Sequence, residues 1–296
     1  MVKSAFNTEG YFDLSNVDAE DLSTTSIKNN RLFGSSQVGD MRRYEFVITP
    51  NVDFLASPLP LMKNTELKLS FDRAPCATAL LATGDIKTEC TEIVLADVYA
   101  TTEWISSPTL RDIFETVDIQ PIIYQYEECD VIIKNLNNGS TDLRFDNLKG
   151  GNVPSYVFMG LIPQKNLSGS FAHSSTKFTS NNVIEANITL DGNSVDVYPI
   201  EIKDGSAIYP MHKFIKDTGR LYNNECGSTL HVAEYNYNFL WSHKFEANIS
   251  PKGWIGVSVK LSESFTEQEP MAMVIWIVSS AVISIDKYHQ VEKINL

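Results

Sequence analysis

The side chains able to do chemistry are few and scattered. Five histidines, His173, His212, His231, His243 and His289, are spaced too widely for a helical zinc motif, and none belongs to an HExxH. A cupin-like metal site needs closely spaced His and Glu on one strand, and the nearest approach is His231 with Glu234. There is no GxSxG elbow, and no cysteine has the context of an activated nucleophile. Carboxylates are plentiful, but Glu263, Glu267 and Glu269 fall where a solvated face is the simpler reading. Gly150-Gly151 follows Lys149 in a turn-like stretch and precedes a strand, whereas a phosphate loop opens a helix. The expectation is therefore no catalytic, cofactor-binding or metal residue, and no cofactor.

Cys76, Cys90, Cys129 and Cys226 are dispersed without a CxxC pair, which disfavours a zinc ribbon or a redox motif. Their even number permits two disulfides; the plainer expectation is four reduced, half-buried thiols packing as small apolar groups. Tyr235, Tyr237, Phe239 and Trp241 alternate with Asn236, Asn238, Leu240 and Ser242, placing four rings on one strand face. Such a ladder would stack on sugars if exposed. The favoured reading is the inner wall of a sandwich, where aromatics supply the largest buried area.

The elements that must position these groups read as strands. Glu66–Phe71 alternates strictly, with Leu67, Leu69 and Phe71 on one face and Glu66, Lys68 and Ser70 on the other. Further strands are expected at 44–49, 92–99, 119–126, 131–136, 155–161, 183–190, 195–202, 237–245, 254–261 and 271–285. The last contains the longest apolar run, Ala272 to Ile285, which reads as one long buried strand or two with a kink at Ser279-Ser280. It is short of the ~20 residues that a membrane helix requires, and β-branched residues dominate it. Asp191-Gly192 between two alternating runs is the strongest hairpin signal.

Two helices are expected. Ser107–Glu115 has Ser as N-cap before Pro108. Tyr209–Gly219 spaces Met211, Phe214 and Ile215 helically and stops at glycine. Segments 137–153, 163–182 and 203–235 read as long loops. Residues 1–40 are polar, with few apolar anchors, and read as an arm that orders on a neighbour. Many strands, two short helices and no βαβ rhythm mean an all-β, antiparallel jelly-roll sandwich.

The bulk properties agree. At 296 residues the chain is long enough for a sizeable core, and 43% apolar residues is ordinary for a globular protein. Thirty-seven acids against 24 bases, a net charge of −13, argue against a protein that coats nucleic acid, because phosphate neutralisation needs Lys and Arg. The start, Met1-Val2-Lys3-Ser4, has no apolar signal-peptide core. The sequons at Asn138, Asn166, Asn187 and Asn248 then read as Asn-rich loop chemistry rather than glycan sites, and synthesis in the cytosol is expected.

Beyond these patterns, Tyr209-Pro-Met-His-Lys-Phe214, Gly253-Trp-Ile-Gly-Val-Ser-Val-Lys-Leu-Ser262 and Ile283-Ser-Ile-Asp-Lys-Tyr-His-Gln-Val291 occur in an order that resembles a known family. It is the C-terminal jelly roll of the double-jelly-roll major capsid proteins of Polinton/Maverick elements and related viruses. Ser155–Pro163 with the Gly-, Asn- and Phe-bearing loop after it resembles the same family, and Arg31–Arg73 resembles the last strands of its first jelly roll. The resemblance covers residues 31–296 and is most specific after about 150.

The family carries two complete jelly rolls, whereas little more than the end of a first fits before residue 90. A shortened capsid protein, a domesticated copy and a second capsid component all remain open. The resemblance implies residues 1–90 as an arm plus the end of a first jelly roll and 91–296 as a C-terminal jelly-roll domain. It implies a non-enzymatic shell subunit that self-associates as a homotrimer and meets other capsid subunits, without specific nucleic-acid binding or a transmembrane segment. That subunit would reside in the virion after synthesis in the host cytoplasm. The alternatives are a carbohydrate-binding jelly-roll module using Tyr235, Tyr237 and Trp241, and a jelly-roll enzyme.

Overall fold

The computed structural model describes residues 121–295 apart from 171, 176, 180–181, 197–199, 203–207, 219–239, 246–251, 267, 287 and 289. It also describes residues 35–38, 41–44, 66, 68, 70, 72 and 94.

Among the described residues the first elements are β1 (Ser35–Val38) and β2 (Met41–Tyr44), an antiparallel pair, so the stretch expected as an arm contains a paired strand. The sandwich follows. Its strands are β3 (Ile122–Asn135), β4 (Asp142–Asn152), β5 (Tyr156–Pro163), β6 (Val183–Leu190), β7 (Asn193–Ser194) and β8 (Ile200–Glu201). They continue with β9 (Leu240–Lys244), β10 (Lys252–Leu261), β11 (Met271–Ile285) and β12 (Val291–Asn295). Helix α1 (Gln164–Leu167) follows β5, and α2 (Ile208–Asp217) lies between β8 and β9.

These strands form two five-stranded antiparallel sheets. In the first, β3, β11, β5 and β9 lie side by side, with β12 continuing beside the far end of β11. In the second, β4, β10 and β6 lie side by side, and β7 and β8 share the free edge of β6. The chain alternates between the sheets from β3 through β6, stays in the second for β7 and β8, then alternates again from β9 to β11. That is the jelly-roll order, two interleaved Greek keys that close a sandwich around one core.

Alternation creates the core. On β10, Ile255, Val257, Val259 and Leu261 are buried, while Lys252, Trp254 and Lys260 face water. Fully buried Met159, Leu161, Ile275, Ile277 and Trp241 come from the first sheet and meet Ala186 and Ile188 of the second in the same core cluster. Each large aliphatic side chain removed from water in this way contributes about 1.5–3 kcal/mol. β11 is buried on both faces because the outer face of its sheet is also covered. The Phe178 ring meets Trp276 edge-on at 5.5 Å, and Phe214 of α2 meets Phe158 at 6.2 Å. This double cover is why Ala272–Ile285 is a continuous apolar run.

Several expected elements are corrected. The strands at 119–126 and 131–136 are one strand, β3, whose acidic middle is accommodated by partners. Lys149 Nζ lies 2.6 Å from Asp130 Oδ2, and Lys293 Nζ lies 2.7 Å from Glu128 Oε2. The loop expected at 137–153 is mostly β4, and β12 was not anticipated. The stretch 163–182 is not plain loop either, since it holds α1 and an isolated bridge from Thr179 to Leu161. Glu66, Lys68 and Ser70 are exposed as expected but carry no strand. β11 is unbroken; at Ser279-Ser280 its partner changes from β5 to β12, and Ser280 Oγ lies 2.8 Å from Ser155 Oγ. The helix expected at 107–115, the strand at 92–99 apart from Val94, and the 90/91 domain boundary lie outside the described residues.

Two local expectations hold. Asp191 (φ 52°) and Gly192 (φ 79°) form a two-residue turn, with Leu190 opposite Asn193, and both positive φ values suit the twist of the flanking strands. Helix α2 buries Phe214 and Ile215, as their spacing requires.

Candidate functional site

Among the described residues, a dense group of reactive side chains lies where α2 packs on β9, which ends the strand order of the first sheet. Neighbouring residues on a strand point to opposite faces, and Ser242 and His243 each find a partner on their own side. Ser242 Oγ donates to Asp217 Oδ2 of α2 at 2.8 Å. His243 Nδ1 lies 3.2 Å from Asp196 Oδ1, in the segment between β7 and β8 of the other sheet. Lys213 joins the two halves, with Nζ 3.2 Å from Asp217 Oδ2, 3.6 Å from Asp196 Oδ1 and 3.4 Å from His243 Nδ1. The Lys213–Asp217 pair is one helical turn apart, so α2 itself sets its geometry.

Ser, His, Asp and Lys are the types that build nucleophilic sites, but this arrangement does not build one. The serine hydroxyl is given to Asp217 and lies on the opposite face of β9 from the imidazole, so His243 is not placed to take its proton. One nitrogen, Nδ1, is shared between Asp196 and Lys213. With its proton there it donates to Asp196, and Lys213 then serves the two carboxylates. Burial pushes the Asp196 carboxyl upward, but the hydrogen bond from His243 and the charge of Lys213 outweigh it, and the net shift is downward. The cluster is an electrostatic strut that ties α2 and both sheets together at one edge of the sandwich.

The remaining candidates disperse. His173 is half-buried and His212 is exposed, while His231 with Glu234 and His289 lie outside the described residues. No group of three metal-ligating side chains occurs among the described residues. Glu263 and Glu269 are solvated as expected, and Gly150-Gly151 lies inside β4. The thiol of Cys129 is free and exposed, not half-buried, because odd-numbered positions of β3 face outward. Trp241 is 1% exposed, which agrees with a core role and removes it from any sugar-binding ladder; Tyr235, Tyr237 and Phe239 lie outside the described residues.

The sequons also separate. Asn166 is buried, with Nδ2 donating to the Ser174 carbonyl, and Asn187 Oδ1 accepts from Ser194 Oγ; Asn138 is exposed. No helix among the described residues is long and apolar enough to cross a membrane.

What the sandwich does present is a lateral apolar surface. Val131 and Ile133 are neighbours on the outer face of β3, with Ile123 further along the same face beyond Gln125, Glu127 and Cys129, and each of the three is more than half exposed. Among the described residues β3 pairs only with β11, so this face borders the sheet's edge. The sequence does not mark this face, because Val131-Ile132-Ile133 is a continuous apolar run and does not say which side is covered.

No family model and no curated protein matches the chain. Among solved structures, it is similar to the capsid of the virus PBCV-1 in a quasi-atomic model (12% identity, TM-score 0.35, 59% of this chain and 52% of that one). It is similar to PBCV-1 VP54 fitted into a reconstruction of the virophage Sputnik (13% identity, TM-score 0.36, 64% and 55%). It is also similar to the mavirus major capsid protein (9% identity, TM-score 0.38, 65% and 44%). The chain spans about half the length of these structures.

Proposed function

We propose that this chain is a structural, major-capsid-like shell subunit that acts by self-assembly and has no enzymatic role. The observation that carries the reading is the apolar face of β3 on a jelly-roll sandwich. Val131 and Ile133 offer adjacent, half-exposed apolar side chains at a lateral edge, where a tile meets its neighbour, and Ile123 adds a third further along the same strand face. The ordered sequence resemblance to Polinton/Maverick capsid proteins supports the same reading and implies a homotrimer. Residues 91–296 then form the shell domain, and residues 1–90 supply an arm with the end of a first jelly roll. Its partners are copies of itself and other capsid subunits, and its place is the virion after synthesis in the host cytoplasm.

The test is the solution mass by light scattering behind a sizing column, across a range of concentrations. A stable trimer or larger closed assembly is expected. A monomer at every concentration defeats the proposal.

A further inference from the structure

On the outer face of the second sheet, Trp254 lies flat over Gly150, its cross-strand partner. A methyl group built on Gly150 would fall 2.4, 2.5 and 2.7 Å from three successive atoms of the indole six-ring, so the ring packs face-on against bare backbone. Its other face is left to solvent, and Trp254 is 54% exposed. Just beyond it β4 bulges: Lys149 pairs with Ile255 and Phe145 with Val257, so three residues, 146 to 148, oppose Gly256 alone. Asn147 at the bulge has φ 55°. The bulge and the Asp191-Gly192 turn wall a cleft of about 220 Å³, with Thr189 and Gly256 at its floor.

The chemistry around the ring is polar throughout. Arg144 Nε is 3.0 Å from both oxygens of Asp146, which gives a neutral pair with in-plane donors and acceptors. Asp191 Oδ1 accepts from the Trp254 backbone N–H at 2.8 Å, which anchors the turn to the strand bearing the indole. Asn147 adds an amide at the rim. An exposed flat aromatic face ringed by carboxylate, amide and guanidinium matches one ligand chemistry in particular. A pyranose presents C–H groups on one face for an aromatic ring and hydroxyls around its perimeter for planar polar groups. The cleft is smaller than the roughly 300–1,000 Å³ of a drug-sized pocket, a size for one sugar ring rather than a long chain.

We propose that the Trp254 cleft between the β4 bulge and the Asp191-Gly192 turn binds a single pyranose residue. This inference does not rest on self-assembly, and its readout is independent of particle mass.

The experiment uses the full chain labelled with 5-fluorotryptophan. Its four tryptophans give four fluorine signals, and Trp254→Phe assigns the one of interest. Titration is with glucose, galactose, mannose and N-acetylglucosamine, each as the reducing sugar and as the methyl glycoside, with glycerol as a polyol without a ring. A saturable shift confined to the Trp254 signal is expected with at least one pyranose. Saturation by methyl glycosides alone marks a chain-terminal residue as the source, and equal saturation by the reducing sugar marks a free monosaccharide.

Gly150→Ala, which lifts the indole, and Asn147→Gly, which keeps the positive φ but removes the amide, each weaken binding by about tenfold or more. The other three signals report that the fold is kept, and Asn147→Gly suffices if Gly150→Ala does not fold. The proposal is overturned if no pyranose saturates the signal, if glycerol reproduces the shift, or if Asn147→Gly binds as tightly as the parent.

Discussion

Ile133 and Val274 face each other across the β3–β11 ladder on the same side of the sheet, yet Ile133 is 53% exposed and Val274 4%. Val131 and Trp276 repeat the contrast one pair along, with Val131 54% exposed and Trp276 held against Phe178. The cover over the outer face of this sheet therefore stops at β11. An apolar row beyond the end of its cover is surface that association can bury, at about 25 cal/mol per Å² before the costs of binding are subtracted.

Ile133→Lys, alone or with Val131→Lys, is accordingly expected to lower the assembled mass while leaving the folded subunit within about 0.5 kcal/mol of the parent, since both positions are exposed. Light scattering and urea unfolding on the same samples check both halves. Unchanged mass in the double variant would move the interface elsewhere.

Core truncation has the opposite signature. Ile275 is fully buried at the centre of β11, between β3 and β5. Ile275→Ala is expected to cost about 2–5 kcal/mol through lost transfer energy and the cavity left behind. The urea midpoint falls while the slope of the transition is kept.

At the α2–β9 edge, acid weakens the fold in a defined direction. The folded-state carboxyl of Asp196 titrates below its ordinary value, so its stabilisation is complete above the unfolded pKa and is lost as pH falls from about 4 through the depressed folded value. The charged or titratable groups facing it among the described residues are His243 on β9 and Lys213 on α2, with Asp217 behind Lys213. Asp196→Asn is expected to be less stable than the parent at pH 7 and to lose less on going to pH 3. Urea midpoints at the two pH values test this; equal acid sensitivity in parent and variant would remove Asp196 from the strut.

The β6–β7 turn carries its own prediction. Gly192 holds φ 79°, a region that disfavours a β-branched side chain, and open space around it leaves no steric clash to confound the effect. Gly192→Val is expected to destabilise by about 1–2 kcal/mol from backbone conformation alone. Gly192→Asn, tolerant of that region, recovers part of the loss in thermal unfolding.

Local pattern sufficed wherever one residue's conformation or one element's period settled the matter. The β-branched apolar run marked β11, Asp191-Gly192 marked a hairpin turn, and the spacing of Met211, Phe214 and Ile215 marked α2, whereas strict alternation at Glu66–Phe71 did not make a strand at Glu66, Lys68 or Ser70. β4 escaped because Gly150 and Gly151 read as turn chemistry. They lie instead within the strand, Gly150 as the flat seat of Trp254, and only the neighbouring β10 strand makes that use visible. β3 was divided at its acidic middle because the cations that accommodate it, Lys149 and Lys293, come from β4 and β12.

The strut has the same origin, since Asp196, Lys213, Asp217 and His243 belong to three separate segments. The amino-acid order thus determined the all-β character, the strand and turn positions with a local cause, and the scarcity of recognisable catalytic motifs. The tertiary structure alone decided which apolar faces are covered and which charges meet, because burial and Coulombic pairing depend on distances between segments that the chain brings together only when it folds.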